Sequence, residues 1–339
     1  MADRVIFHVD ANSAFLSWTA AYRVKVLGEK VDLRQIPSVV AGDKESRHSI
    51  ILAKSGPAKK YGIQTGEPLF QAMEKCPELA VVQPDYGLYV EASRHFVDML
   101  RQFSPSVEQY SIDEAWVDMS GTRRLYGDPR LAAERMRQRI WEELGFTVNV
   151  GISSNKLLAK MAGDFEKPNK VHTLFPEEIA NKMWPLPVRD LFLVGAATQA
   201  KLNRMGIYTI GDLAHADCAA LLKRLGKHGE TVWHFANGRN ADMVTPEPAE
   251  NKGYGNSVTT AKDVLTRQEA YQVLLSLCET VAMRMRKDGK CGSCVTVHLR
   301  TNEFHHFSHQ TVLTGSTNIT RDWSFSLSCL LFGCKNVYF

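Results

Sequence analysis

What this chain has little of narrows the field before any motif is read. No stretch approaches the ~20 uninterrupted apolar residues that a membrane helix needs, and charge breaks up residues 1–10 before an export-signal core can form. Its seven cysteines are an odd, scattered set, which reads as reduced thiols in a cytoplasmic protein rather than as a disulfide framework. Neither sign of charge dominates, since 41 Lys and Arg against 37 Asp and Glu leave only +4. There is no low-complexity tract and no solenoid-type repeat. A Gly-x4-Gly-Lys-Ser/Thr phosphate loop and a helical His pair of the metallohydrolase kind are also missing, which sets two large enzyme classes aside.

What is there suits a globular chain of two or more domains: 339 residues, 44% hydrophobic and 23% charged. The positive excess is local. Residues 181–240 carry 8 basic and 4 acidic side chains, whereas residues 1–120 carry 13 and 16. Such a segment suits a surface that faces phosphates.

Val5, Phe7 and Val9 alternate with Ile6, His8 and Asp10, a period-two strand with a carboxylate at its C-terminal end. Asn12 or Ser13 is the expected N-cap of a helix from Phe15 to Leu27, ending near Gly28. Residues 30–84 form a mixed insertion, with strands near Val39–Val40 and Ser49–Ala53 and a short helix stopping at Gly62. Helical spacing returns from Asp85 to Phe103, and Val107–Ile112 with Ala115–Met119 suggest a hairpin turning at Asp113-Glu114. A helix over Pro129–Leu144, a strand over Thr147–Ile152 and a helix from Asn155 to Gly163 complete an α+β layer, one antiparallel sheet backed by helices. Residues 176–245 read as all-helical, and the prolines of 245–253 mark a linker. Beyond it come a strand (Gly255–Thr260), a helix (Thr266–Lys287) and two more strands (Ser293–Thr301, Phe304–Leu313).

Three carboxylates, Asp10, Asp113 and Glu114, are thereby placed at a strand end and a hairpin tip of one sheet. Converging carboxylates hold hard Mg²⁺ ions that also bind substrate phosphates, and two such ions support an in-line displacement. An isolated Asp-Glu at a turn is more often merely solvated. The surrounding residues decide between the two. His8-Val9-Asp10-Ala11-Asn12-Ser13-Ala14-Phe15, Tyr110-Ser111-Ile112-Asp113-Glu114-Ala115-Trp116, Val150 through Ala162 and Lys167-Pro168-Asn169 strongly resemble, in order and spacing, the Y-family (translesion) DNA polymerases. The resemblance runs from residue 5 to about residue 320.

It implies a ferredoxin-like palm (1–28 and 85–175) with inserted fingers (29–84), an all-helical thumb (176–245), a linker (246–252) and an α+β little finger (253–339). By resemblance, Asp10, Asp113 and Glu114 serve two Mg²⁺ ions, assisted by the Ala11 backbone carbonyl, with Glu114 as the catalytic glutamate on the primer side. Phe15 matches the steric gate against ribose, although aromatics at such positions usually pack into a core. Lys167, Lys59 and Ser13 fall at nucleotide-binding positions. Where many members carry a fingers Tyr and, three residues on, an Arg, this chain has Gly56 and Lys59; the missing contact could move to Ser55. The implied partners are primer–template DNA, dNTPs and a sliding clamp, with no membrane and a monomeric state.

Residues 191–207 are similar to a helix–hairpin–helix, in which Gly195, Thr198 and Lys201 would grip a phosphate without reading sequence. Gly226 to Glu230 resembles a second glycine turn. Cys291 and Cys294 with His305 and His309 lack zinc-finger spacing. After residue 320 the composition stops resembling a surface helix, which suggests a truncated or divergent little finger, an unpaired sheet edge and no clamp-binding peptide. Two rival functions use the same features: another two-metal enzyme such as a nucleotide cyclase or nuclease, and a catalytically impaired DNA-binding paralogue.

Overall fold

The computed structural model describes residues 4–43, 49–247 and 250–324. The chain divides into two compact units, Met1–Pro248 and Ala249–Phe339.

In the first unit a five-stranded sheet has the order β5-β6-β1-β7-β8. Its centre is β1 (Ile6–Ala11), in which Ile6, Phe7, His8 and Val9 are all fully buried, because this strand is covered on both faces. Antiparallel to it run β6 (Glu114–Asp118) and β7 (Val148–Ser153), and β5 (Val107–Gln109) is antiparallel to β6. β8 (Val171–Thr173) is parallel to β7, so the sheet is mixed rather than wholly antiparallel as its sequence suggested. The cause is α7 (Lys156–Gly163), which carries the chain back across the sheet as a crossover helix.

Phe7 and Val9 point to one face and pack with α1 (Ala14–Lys25), α4 (Tyr86–Arg101) and α6 (Pro129–Arg139) around Leu16, Trp18, Tyr89, Phe96, Leu100 and Met136. After α6 the helix widens into a π turn over Ile140–Leu144. The opposite face, with His8, Asp10, Glu114 and Trp116, lies under α7. There an added Cβ on Gly151 would stand 1.9 Å from the Ala159 carbonyl oxygen and 2.4 Å from the Gly163 nitrogen, so helix and strand meet backbone to backbone.

The insertion builds its own sheet, β3-β2-β4, from β2 (Ser38–Ala41), β3 (Ile51–Lys54) and β4 (Ala80–Val82). With α2 (Gly56–Lys60) and α3 (Leu69–Lys75) it encloses a separate core of Val39, Ile51, Ala58, Ile63, Leu69 and Cys76. A short helix α5 (Arg123–Tyr126) precedes α6. Helices α8 (Ala196–Asn203), α9 (Ile210–His215), α10 (Cys218–Leu225) and α11 (Lys227–Ala236) then pack with α7 around Leu158, Val188, Leu202, Leu213, Leu221 and Val232.

The second unit sets α12 (Arg267–Lys287), capped reciprocally by Thr266 and Glu269, against an antiparallel pair, β9 (Gly292–Arg300) and β10 (His306–Thr317). Cys278, Ala282, Met285, Val297 and Trp323 form its core. Gly255–Thr260, expected as a strand, has no regular structure: Val258 is exposed and nothing apolar alternates onto a core. Residues 320–324 are helical, and Trp323 buries its ring beside Met285 and Gly292. The remainder of the tail, from 325 on, lies outside the described residues.

Candidate active site

The site forms where β1 and β6 end. Asp10 and Glu114 are direct register partners, and such partners point to the same face. Asp113 sits in the preceding turn, whose carbonyl accepts a 2.9 Å hydrogen bond from the Ala11 N–H. That turn spans residues 110–113 and Glu114 opens β6, so the tight Asp113-Glu114 turn expected from the sequence is replaced by a four-residue loop that ends one residue earlier. Tyr110 and Ser111 both donate backbone N–H groups to the Glu114 carbonyl, which fixes the longer loop.

Each carboxylate has its own partners. Lys167 Nζ donates to Asp10 Oδ2 at 2.6 Å and pairs with Asp164 at 2.8 Å. Burial pushes the Asp10 carboxyl above its ordinary value, with the Lys167 charge opposing. On the half-exposed lysine burial is outweighed by Asp10, and its ammonium is pushed up to about 12. Ser111 Oγ donates to Asp113 Oδ1 at 2.7 Å. Glu114 Oε2 accepts from His8 Nε2 at 2.9 Å and from Lys160 Nζ. Burial alone would raise the Glu114 carboxyl, but these two hydrogen bonds and the Lys160 charge hold it at about 2.

The strand-to-helix turn that follows is tied from behind. Asn12 Nδ2 donates to Asn149 Oδ1 at 3.1 Å, Asn12 Oδ1 accepts from the Asn169 N–H at 2.9 Å, and Asn149 Nδ2 donates to the carbonyls of Gly163 and Glu166. This buried amide network holds the Lys167 loop against the end of β1. Ser13 begins α1 in a left-handed conformation, φ 49°, and makes no side-chain cap. The N-cap hydrogen bond expected there is absent, and its hydroxyl is exposed at the site. Phe15, in the first turn of α1, stacks on Tyr89 with ring centroids 4.5 Å apart and planes 12° from parallel.

In the insertion, Gly56 and Lys59 lie on α2, both exposed. Ser55 does not replace a missing phosphate donor: its buried hydroxyl accepts from the Ala58 N–H and donates to the Ile36 carbonyl. Gly195 precedes α8, Thr198 lies in its first turn with Oγ1 3.4 Å from His228 Nε2, and Lys201 lies one turn on, exposed. Gly226 supplies the positive φ (66°) between α10 and α11.

His8, Lys160 and Asn149 escaped the sequence reading. Signals for the first two were present: His8 shares a strand face with Asp10, and Lys160 follows Lys156 by one helical turn. For Asn149 there was none, because its partners lie 14 to 137 residues away.

The donor set fits hard divalent cations, being carboxylate oxygens at the edge of a sheet. Among the described residues no three Asp, Glu, His or Cys side chains surround a single point as a finished metal shell. The carboxylates share an edge while each is held by a neighbouring donor.

A carboxylate-edged palm sheet with an inserted small sheet and a helical, glycine-turned segment is the build of a nucleotidyl-transferring polymerase. Residues 9–164 match the model of the impB/mucB/samB family, residues 251–329 its C-terminal domain, and residues 176–207 the IMS family HHH motif. The chain is 45% identical over 319 residues to DNA polymerase IV of Clostridium acetobutylicum, covering 94% of this chain and 80% of that one. It is 37% identical over 330 residues to DNA polymerase IV 2 of Bacillus subtilis, covering 95% and 78%. A solved Y-family DNA polymerase chimera shares the fold, with a TM-score of 0.83 at 22% identity, over 97% of this chain and 93% of that one. The chain belongs to the Y-family DNA polymerases, as a DNA polymerase IV-like member. Its activity is therefore that of a DNA-directed DNA polymerase in translesion synthesis, its fold is the α+β palm, thumb and little-finger architecture, and membership implies use of a divalent metal. Neither the cyclase reading nor the silent-paralogue reading finds support. Among the described residues no helix is long and apolar enough to cross a membrane.

Proposed function

We propose that Asp10, Asp113 and Glu114 carry nucleotidyl transfer from a dNTP to a primer 3′-hydroxyl. The observation that carries this reading is the register of β1 on β6, which sets Asp10 directly opposite Glu114 with Asp113 tied to Ala11 beside them. Asp10 and Asp113, with the Ala11 carbonyl, would hold two Mg²⁺ ions, and Glu114 would stand on the primer side. Bound Mg²⁺ supplies activation of the attacking oxygen and neutralisation of the departing pyrophosphate. Lys167, already charged beside Asp10, is placed to bind the triphosphate, with Ser13 and Lys59 as further donors. Phe15, its ring stacked on Tyr89, would be the steric gate against a ribose 2′-hydroxyl.

Gly195, Thr198 and Lys201 would hold duplex phosphates without reading bases. In this reading palm (1–28, 85–175), fingers (29–84), thumb (176–245) and little finger (253–339) are the working parts of a cytoplasmic monomer, and a sliding clamp is the partner that the family resemblance implies. Primer extension with dNTPs on undamaged and lesion-containing templates tests it. Template-directed addition is the expected result; a folded protein that binds primer–template and adds nothing would overturn it.

A further inference from the structure

The face of the sheet beneath α7 carries a polar side chain that the proposed chemistry does not use. His8 is fully buried, two residues before Asp10 on the same face of β1. Its ring lies against Trp116, with centroids 5.4 Å apart, and is roofed by Gly163, where an added Cβ would stand 3.3 Å from Nδ1. Ionised Glu114 can only accept, so His8 Nε2 must carry the proton in their 2.9 Å hydrogen bond. Nδ1 is left buried with no hydrogen-bond partner. Desolvating an imidazole and leaving one nitrogen unpaired is costly, and an apolar side chain would fill the same space without that cost. The one polar return is the bond to Glu114.

We propose that His8 is a positioning residue for Glu114: with Lys160 it holds Oε2 from behind, so that Oε1 alone is presented toward the primer side. The proposal rests on Glu114 being catalytic. His8 and Lys160 divide the task by location. His8 is fixed inside the sheet and sets the direction of the carboxylate, while Lys160 reaches from α7 across the rings of Tyr110 and Phe192 at 5.4 and 5.5 Å and supplies charge.

The test pairs kinetics with a direct look at the ring. In the wild-type protein, ¹⁵N-histidine spectra, assigned by loss of the signal in H8Q, should show His8 as the neutral tautomer protonated at Nε2. For His8→Phe, which keeps volume and loses the donor, kcat should fall about 10- to 100-fold while the dNTP KM and the primer–template Kd stay within about twofold, because misplacing a reacting group costs rate rather than ground-state binding. His8→Gln, whose amide reaches the Nε2 position, should recover most of that loss. An Nδ1-protonated tautomer, an H8F enzyme at near wild-type kcat, or an H8Q no better than H8F would each overturn the proposal. Should H8F fail to fold, the wild-type tautomer and H8Q decide. An inactive E114Q beside a fully active H8F removes the positioning role alone, whereas an active E114Q removes the reading of the site itself.

Discussion

Glu114 illustrates how one residue can be charged at every working pH and still be largely withdrawn from solvent. Its folded-state acidity, about 2 against an ordinary 4.5, means that the ionised form is the one the fold stabilises. Since the folded value lies below the unfolded one, this contribution is complete above pH 4.5 and is lost as pH falls through 2. It amounts to on the order of 3 kcal/mol for a side chain so little exposed. Asp10 works the other way: burial raises it, so its charge costs stability at neutral pH and acidification relieves that cost. Denaturant titrations in EDTA should therefore show Glu114→Gln less stable than wild type at pH 7, with the gap closing between pH 4.5 and 2; a gap independent of pH would mean that the His8 and Lys160 contacts do not form. In activity, Asp113→Asn should abolish nucleotide addition, by at least about 10³-fold, with primer–template affinity nearly unchanged, because in the proposed assignment the carboxylates serve the reaction and the basic segments serve the DNA. Gel-shift and extension assays on the same preparation check both halves. Phe15→Ala should stay folded, since only part of the ring is buried, and should raise ribonucleotide incorporation severalfold; competition between rNTP and dNTP measures it. A variant that merely unfolds would mark Phe15 as core.

At the scale of elements, the close seat of α7 on β7 sets the geometry of the whole site, because α7 carries Lys160 and leads into the Lys167 loop. Gly151 permits that seat. A Cβ there meets backbone atoms of α7, which cannot rotate out of the way as a side chain could. Gly151→Ala should therefore destabilise by about 3 kcal/mol or more and lower activity, while a neutral result in thermal melts would show that α7 can lift off the sheet. Element identity was largely legible from pattern: β1, α1, α4, β7, α7, α12, β9 and β10 all fall near their expected positions. The failures share a cause. The parallel β8, the turn at 110–113, the uncapped left-handed Ser13 and the missing strand at 255–260 depend on what each segment packs against or bonds to, and local periodicity carries no record of that.

For the whole molecule, two units mean that the small core of the second is separate from the several cores of the first, and that each unit has its own susceptibility. The core of Ala249–Phe339 is small, and Trp323 is its largest member. Trp323→Ala should cost that unit about 3–5 kcal/mol, enough to threaten its independent stability, with no effect on the other. Hydrogen exchange should then show lost protection in α12 and β9 and unchanged protection in β1 and β7; a uniform loss would mean that the two units unfold as one. The stretch after residue 320, whose composition looked unlike a surface helix, thus supplies a buried anchor, and the match to the family's C-terminal domain continues to residue 329.

By itself the sequence determined the parts: alternation that makes β1 a strand ending in a carboxylate, glycines and prolines that punctuate the helical segment, and motifs specific enough to imply the family. Those are local facts, written within ten or fifteen residues. Only the tertiary structure decided how the carboxylates are held. Lys167 meets Asp10 across 157 positions and His8 meets Glu114 across 106, and no pattern along the chain encodes such pairings. They follow from the register of β1 on β6 and the glycine-permitted approach of α7. Electrostatic partners are chosen by distance in space, which packing alone settles.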